Sequence, residues 1–487
     1  MVLTLLMILI AVLYWRVWGF HYIIDDIVRR WDYLYVVPRS SPPPEFYSAR
    51  PNPWRNFLPV ITHALNVWLL YILFGPIPSL LFLINPLSVN GAAWKTGGYY
   101  SFTTFLALTS FFFIHQFPIT FSFLPFANIA GALVSTVFFT AALGSTIICV
   151  GLPFLFLLPI SSYWGLILFW PLVFYLFGHR FRTGYKIRNM GKKDTTTWRK
   201  IFLMTKVVAY YIRLCLFPNK LAFFRQYGFG YMKEKGVRAR LESADGEFWF
   251  SLLTILVFSV VGWHLSPLGV VWFFVTIGPF SQFKILGQFI AERYTYLPNV
   301  GIALILAPLC QNPIILMIVC LLYAYKTMNY IPAFSTISQL YIHGIKDHPD
   351  CISNYANLGE RYLHIGKHLE AKKLFEKGLF LEKYSFLCLV NIAAYFSVMT
   401  SWEKSLYYTE MAIKHGPREF AIVALAKQRV DLLKIIFHEQ GIDKHMPIDV
   451  CMDEMEPGDS FGIIEAVKAI KLGYIKVRKC SNGSLKM

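Results

Sequence analysis

Two adjacent carboxylates, Asp25 and Asp26, close the stretch HYIIDD just after the first apolar run, and no further Asp or Glu occurs between Glu45 and Asp194. Carboxylates in a segment of membrane character are costly and are usually kept for function. At a water–lipid boundary, an acid with a like-charged neighbour can hold a raised pKa and take a proton from an incoming hydroxyl. The competing use is an N-cap or a solvated loop pair, which is common for Asp.

A second constellation is AERYTYLPN (291–299), set between two apolar runs. Glu292 and Arg293 can form a local ion pair. Alternatively, Arg293 presents its planar fork to a phosphate, with Tyr294 and Tyr296 lining an interfacial pocket. A third comprises ITHALNVWLLY (61–71) and LINPLSVNGAAW (83–94), which put His63, Asn66, Asn85 and Asn90 at membrane depth. Such polar groups face a bundle interior, where helix–helix hydrogen bonding is their ordinary role. Lys95 follows directly and either meets an anionic group or snorkels to the interface.

These residues need helices to hold them, and composition says which kind. Of 487 residues, 56% are hydrophobic and only 15% charged, with a mean hydropathy of +0.49. A soluble chain carries about 25% charged residues. Long apolar runs fill the chain up to Tyr330, and beyond His343 it becomes ordinarily charged. The expected architecture is all-α: a polytopic membrane bundle over residues 1–337, a soluble helical domain over 338–440, and a tail over 441–487 without an interpretable motif.

Apolar runs at 1–18, 57–74, 77–94, 101–115, 124–150, 152–178, 201–217, 248–264, 267–284, 299–310 and 313–328 give about eleven spans, several near the lower length limit. The opening run lacks a basic n-region and a small-residue cleavage site, so it reads as a retained span. The basic loop 179–200 is expected on the cytoplasmic side. That orientation places 19–56, 218–247, 285–298 and the C-terminal domain outside. Two of those outer loops are themselves basic, one with Arg29 and Arg30, the other with Lys220 and Arg225. Either the orientation is reversed or those cations serve an anionic ligand.

The net charge of +18 is spread over loops between apolar runs, which favours anionic lipid headgroups and excludes a nucleic-acid module. Eight scattered cysteines without a CxxC argue for neither a zinc site nor a disulfide framework. A divalent metal lacks support as well, because no third acid is positioned to share it with the Asp pair.

In the soluble part, Tyr355-x2-Leu358-Gly359-x2-Tyr362 followed by Ala371-x3-Phe375 matches the tetratricopeptide pattern at each spacing. A weaker second unit has Ala412 and Pro417 in phase, and residues 418–438 form a third unit or a cap. Stacked helix pairs of this kind present a concave surface to a protein acceptor or partner. In a short array they can instead merely pack on the membrane domain.

Taken in order, the acid pair, the THALN span, the NPLSVNGAAW segment, the AERYTYLPN loop and the C-terminal repeats resemble the transmembrane-and-tetratricopeptide protein O-mannosyltransferases and their prokaryotic relatives. These belong to the C-type (GT-C), polyprenyl-phosphate-sugar-dependent glycosyltransferases. The resemblance covers nearly the whole chain, with AERYTYLP its most specific motif. It implies inverting transfer of a sugar from a polyprenyl phosphate to an acceptor hydroxyl on the extracytoplasmic face of a prokaryotic cytoplasmic membrane or of the endoplasmic reticulum. In that scheme one of Asp25 and Asp26 deprotonates the acceptor. Arg293, with Glu292 orienting it and Tyr296 beside it, meets the donor phosphate, with Lys220 and Arg225 as further cations; His63, Asn90 and Lys95 line the pocket. The lipid-linked sugar is the donor substrate, and the resemblance implies no certain cofactor, a divalent metal being possible but unsupported.

The family's third-span motif usually reads His-Pro-x-His/Thr-x-Glu-Ala-Val. Here Asn85, Ser88 and Asn90 stand at its polar positions, and each removes a titratable group. That departure opens an alternative: a non-catalytic membrane scaffold or assembly factor of the same fold, binding a partner protein through its repeats.

Overall fold

The structure, a computed structural model, describes residues 2–20, 53–95, 97–116, 197–225, 243–282, 290–399, 401–415, 448–451 and 475–478. The described chain is helical apart from one short strand pair. In the membrane part the helices are α1 (Val2–Tyr14), α2 (Pro53–Phe74), α3 (Pro76–Ile84), α4 (Val89–Ala93), α5 (Gly98–Gln116), α6 (Thr197–Leu216), α7 (Gly246–Leu265), α8 (Pro267–Ile277), α9 (Pro298–Leu306) and α10 (Pro313–Tyr330). Four stretches are long and apolar enough to cross a bilayer: Val2–Gly19, Phe57–Phe74, Gly246–Leu265 and Pro313–Ser335. The outward faces of α7 and α10 carry Trp249, Leu253, Leu256, Met317, Leu321 and Leu322, all exposed. Apolar faces this extensive suit a hydrocarbon solvent, not water. The expected spans 124–150 and 152–178 lie outside the described residues.

The run 77–94, expected as one span, is broken into three pieces, and the cause is local. Proline disfavours helical geometry in the residue before it, and Asn85, before Pro86, is extended at φ −63°, ψ 123°. Its Oδ1 accepts from the Leu87 amide at 2.9 Å, starting a 3-10 turn (Pro86–Ser88). The Ile84 carbonyl left at the break accepts from Thr327 of α10 at 2.6 Å. Upstream, α2 and α3 are separated by Gly75, whose φ of +87° is a conformation that glycine adopts without a Cβ penalty. The result is a polar-lined elbow at Asn85–Pro86 in place of a single span.

After α10 come α11 (Ile337–Asp347), α12 (Ile352–His364), α13 (His368–Leu381), α14 (Phe386–Val398) and α15 (Trp402–His415). Thr336 caps α11 by accepting from the Gln339 amide. One hydrophobic core runs from Leu6 through Trp94, Tyr296 and Tyr341 to Leu358, so α11 and α12 are continuous with the membrane part. A separate small core of Ala371, Phe375, Ile392 and Tyr395 joins α12, α13 and α14. Gly359 lets the Phe375 ring lie against α12, since a Cβ there would overlap the ring. Asn391 donates to the Ala356 carbonyl at 3.0 Å, tying the second hairpin to the first. Residues 418–438 lie outside the described residues. In the tail, β1 (Ile448–Cys451) and β2 (Ile475–Arg478) pair in parallel, Ile448 opposite Ile475.

Candidate functional site

The site is assembled on a 3-10 turn, Glu292–Thr295, immediately before α9. Ala291 enters it extended, its amide donating to the Tyr211 hydroxyl of α6 at 3.0 Å. Thr295 closes the turn by donating to the Glu292 carbonyl at 2.6 Å. Pro298 then starts α9, at a position where its missing N–H is not needed.

Glu292 is buried, and both carboxylate oxygens are committed. Oε1 accepts from the Ala222 amide at 2.7 Å and from the Arg225 guanidinium. Oε2 accepts from Asn90 Nδ2 at 3.1 Å and from the Tyr330 hydroxyl at 2.7 Å. The ion pair therefore runs from Glu292 to Arg225, 67 residues away, and Glu292 is not positioned to orient Arg293 as the sequence scheme had it. Arg225 is itself only 3% exposed. It donates further to the Tyr210 hydroxyl at 2.7 Å, to the Lys220 carbonyl at 2.6 Å and to His348 Nε2 at 3.0 Å. Burial alone would lower the guanidinium pKa, but the adjacent Glu292 carboxylate outweighs it and holds the group above its ordinary range. A guanidinium so enclosed is a structural cation. Lys220 is exposed, and the part of it that joins this network is its backbone carbonyl.

Arg293 points elsewhere. It is half-buried in a cage of rings, its guanidinium carbon 5.1 Å from the Tyr294 centroid, 5.3 Å from Phe223 and 5.9 Å from Trp94. Trp94 and Phe223 meet edge-on at 4.8 Å. Lys95, partly exposed, follows Trp94 in the chain. Aromatic faces hold a guanidinium in place through cation–π attraction.

Tyr296 does not flank Arg293. Its fully buried hydroxyl lies 2.6 Å from His63 Nδ1 and accepts from Asn66 Nδ2 at 3.3 Å, and Asn66 also donates to the Ser101 carbonyl. Gly91 makes room for the Tyr296 ring. The three motifs singled out from the sequence thus meet: His63 and Asn66 on α2, Asn90 and Gly91 on α4, and Glu292 and Tyr296 at the turn before α9. Asp25 and Asp26 lie outside the described residues. Phe20, the last described residue before them, is buried in the same core, and the turn at Trp15–Gly19 packs on Ile331–Ser335 just beyond Tyr330.

Tyr210, Tyr330 and His348 were not singled out from sequence, and nothing in their local context separates them from interfacial aromatics or surface histidines. One signal did exist. Glu292 is the only acid between Glu247 and Asp347, so a buried partner cation from another segment was to be sought. Among the described residues, no three His, Cys, Asp or Glu side chains gather as a metal centre would need. Compared with protein-family models, curated proteins and solved structures, the chain matches none.

Proposed function

We propose that this chain is a membrane glycosyltransferase of the C type, moving a sugar from a polyprenyl-phosphate donor to a hydroxyl of a protein acceptor. The observation that carries the reading is the meeting of the THALN and NPLSVNGAAW segments on the AERYTYLPN turn, Asn66 and His63 on Tyr296 and Asn90 on Glu292, with Arg293 in its ring cage beside Trp94. In this scheme Asp25 or Asp26 takes the acceptor proton, and the acceptor oxygen attacks the anomeric carbon. The bond from that carbon to the phosphate oxygen breaks, the phosphate keeps the electron pair, and Arg293 and Lys95 hold its charge. Glu292 and Arg225 act only by fixing the turn that carries Arg293. The hairpins α12–α13 and α14–α15 are tetratricopeptide repeats that present the acceptor.

One observation favours the scaffold alternative. Asn90 stands where the resembling family has a Glu, and its amide is used to hold Glu292. Transfer from polyprenyl-phosphate mannose and glucose by the full chain in nanodiscs, against Asp25→Asn/Asp26→Asn, separates the two. Loss of a general base lowers the rate by about 10²–10⁴. Wild-type transfer no greater than that of the double variant assigns the chain to the scaffold reading.

A further inference from the structure

Between α6 and the next described helix, residues 217–225 cross the molecule without regular structure, and their polar groups are read by side chains from several elements. Tyr323 of α10 donates to the Cys215 and Leu216 carbonyls at the entry, each at 3.3 Å, and Lys326 donates to the Asn219 carbonyl at 2.8 Å. Asp347, the last residue of α11, accepts from the Leu221 amide at 2.9 Å. Glu292 accepts from the Ala222 amide, and Asn354 of α12 donates to the Phe224 carbonyl at 3.4 Å. The side chains complete the strap. Phe223 lies against Trp94 and beneath Arg293, Phe224 stacks on Tyr341 of α11 at 5.8 Å, and Arg225 spans Glu292 and His348.

We infer that this strap is a coupling element, through which the position of α11 and α12 sets the shape of the ring cage around Arg293. Leu221 and Phe224 of the strap are held by Asp347 and Tyr341 of α11 and Asn354 of α12. The strap also supplies Phe223 to the cage and two of the four donors to Glu292. A shift of α11 that releases Leu221 and Phe224 therefore also disturbs Phe223 and Ala222, because consecutive residues of one short segment make both sets of contacts. The position of α11 and α12 and the state of the Arg293 site are linked in this way, and the linkage is reciprocal.

The inference goes beyond the sugar-transfer proposal, and its readout does not require turnover. Hydrogen exchange is measured by mass spectrometry on the full chain in detergent, comparing wild type with Asp347→Asn. Loss of the charged acceptor is expected to speed exchange in 217–225 by about 10- to 100-fold, with a rise in the same direction in 290–297, while α7 is unchanged. In reverse, Glu292→Gln is expected to raise exchange across 337–364. Should Asp347→Asn fail to fold, Tyr341→Leu, which removes the stacking partner of Phe224, serves the same comparison. Faster exchange confined to 337–364 in the α11 variants, with 217–225 and 290–297 unaltered, overturns the coupling.

Discussion

Replacing Glu292 by Gln tests the central network most directly, because the structure dictates how the amide must sit. At Oε1 the neighbours are the Ala222 amide and Arg225, both obligate donors, so the new carboxamide oxygen must take that position. Its NH2 then occupies the Oε2 position, where the Tyr330 hydroxyl can accept and Asn90 can rotate to offer Oδ1. Hydrogen bonding is thus nearly conserved, and what is lost is the negative charge opposite a guanidinium 3% exposed. Breaking a buried pair by removing one partner costs about 3–5 kcal/mol. Arg225→Met is expected to cost a similar amount, since it leaves the carboxylate with neutral donors only. The double variant removes both charges and should be less destabilised than the sum of the singles by about 2–3 kcal/mol. Equilibrium unfolding in mixed micelles, followed by circular dichroism, gives all corners of the cycle. A cost below about 1 kcal/mol for Glu292→Gln, or strict additivity of the two singles, would refute the reasoning.

Two further outcomes follow from individual contacts. His348 accepts from Arg225, and burial, aided by that cation, holds its pKa below the ordinary histidine value, as burial does for His343. The unfolded chain, titrating near pH 6.5, therefore binds the proton more strongly than the folded one. The stability these histidines contribute is complete above that pH and is lost as pH falls through the lower folded pKa. Thermal unfolding at about pH 7.5 and 5.5 should show a smaller acid loss for His348→Gln, whose amide oxygen accepts from Arg225 at either pH; an equal loss in both proteins would contradict the assignment. Gly91→Ala puts a Cβ into the Tyr296 ring and is expected to destabilise by about 1–3 kcal/mol. Gly246→Ala, where the added methyl meets open space, is the control and should stay within about 0.5 kcal/mol of wild type.

Hydrophobic runs announced the helices, because in lipid the backbone must satisfy itself and long apolar segments have few alternatives. They were less informative where the backbone breaks. Asn85–Pro86 divides the expected span 77–94 because proline has no N–H to continue the helix and the asparagine side chain caps the next turn by accepting from the Leu87 amide, which an apolar count does not register. The repeat pattern placed Gly359, Ala371 and Phe375 correctly at a helix–helix contact, since small-against-large packing imposes strict spacing. The Glu292–Arg225 pair was beyond such reading. Arg293 is the obvious neighbour in sequence, but a 3-10 turn advances about 120° per residue. Consecutive side chains diverge, one inward to Arg225 and one outward to the rings.

That divergence constrains the chemistry under either functional reading. A general base needs a lone pair that is free to take a proton, and each Glu292 oxygen already accepts two hydrogen bonds, Oε1 from Arg225 and the Ala222 amide and Oε2 from Asn90 and Tyr330. Glu292 is therefore a positioning residue and not a general base. The amide at Asn90 belongs to the same logic. A carboxylate there, as the resembling family has, would face Glu292 Oε2 across the 3.1 Å now spanned by the Asn90 donor. Two acids at that separation do not both ionise without a shared proton or a bound cation. With Asn90 the site needs neither, and the single charge of Glu292 is matched by the single charge of Arg225.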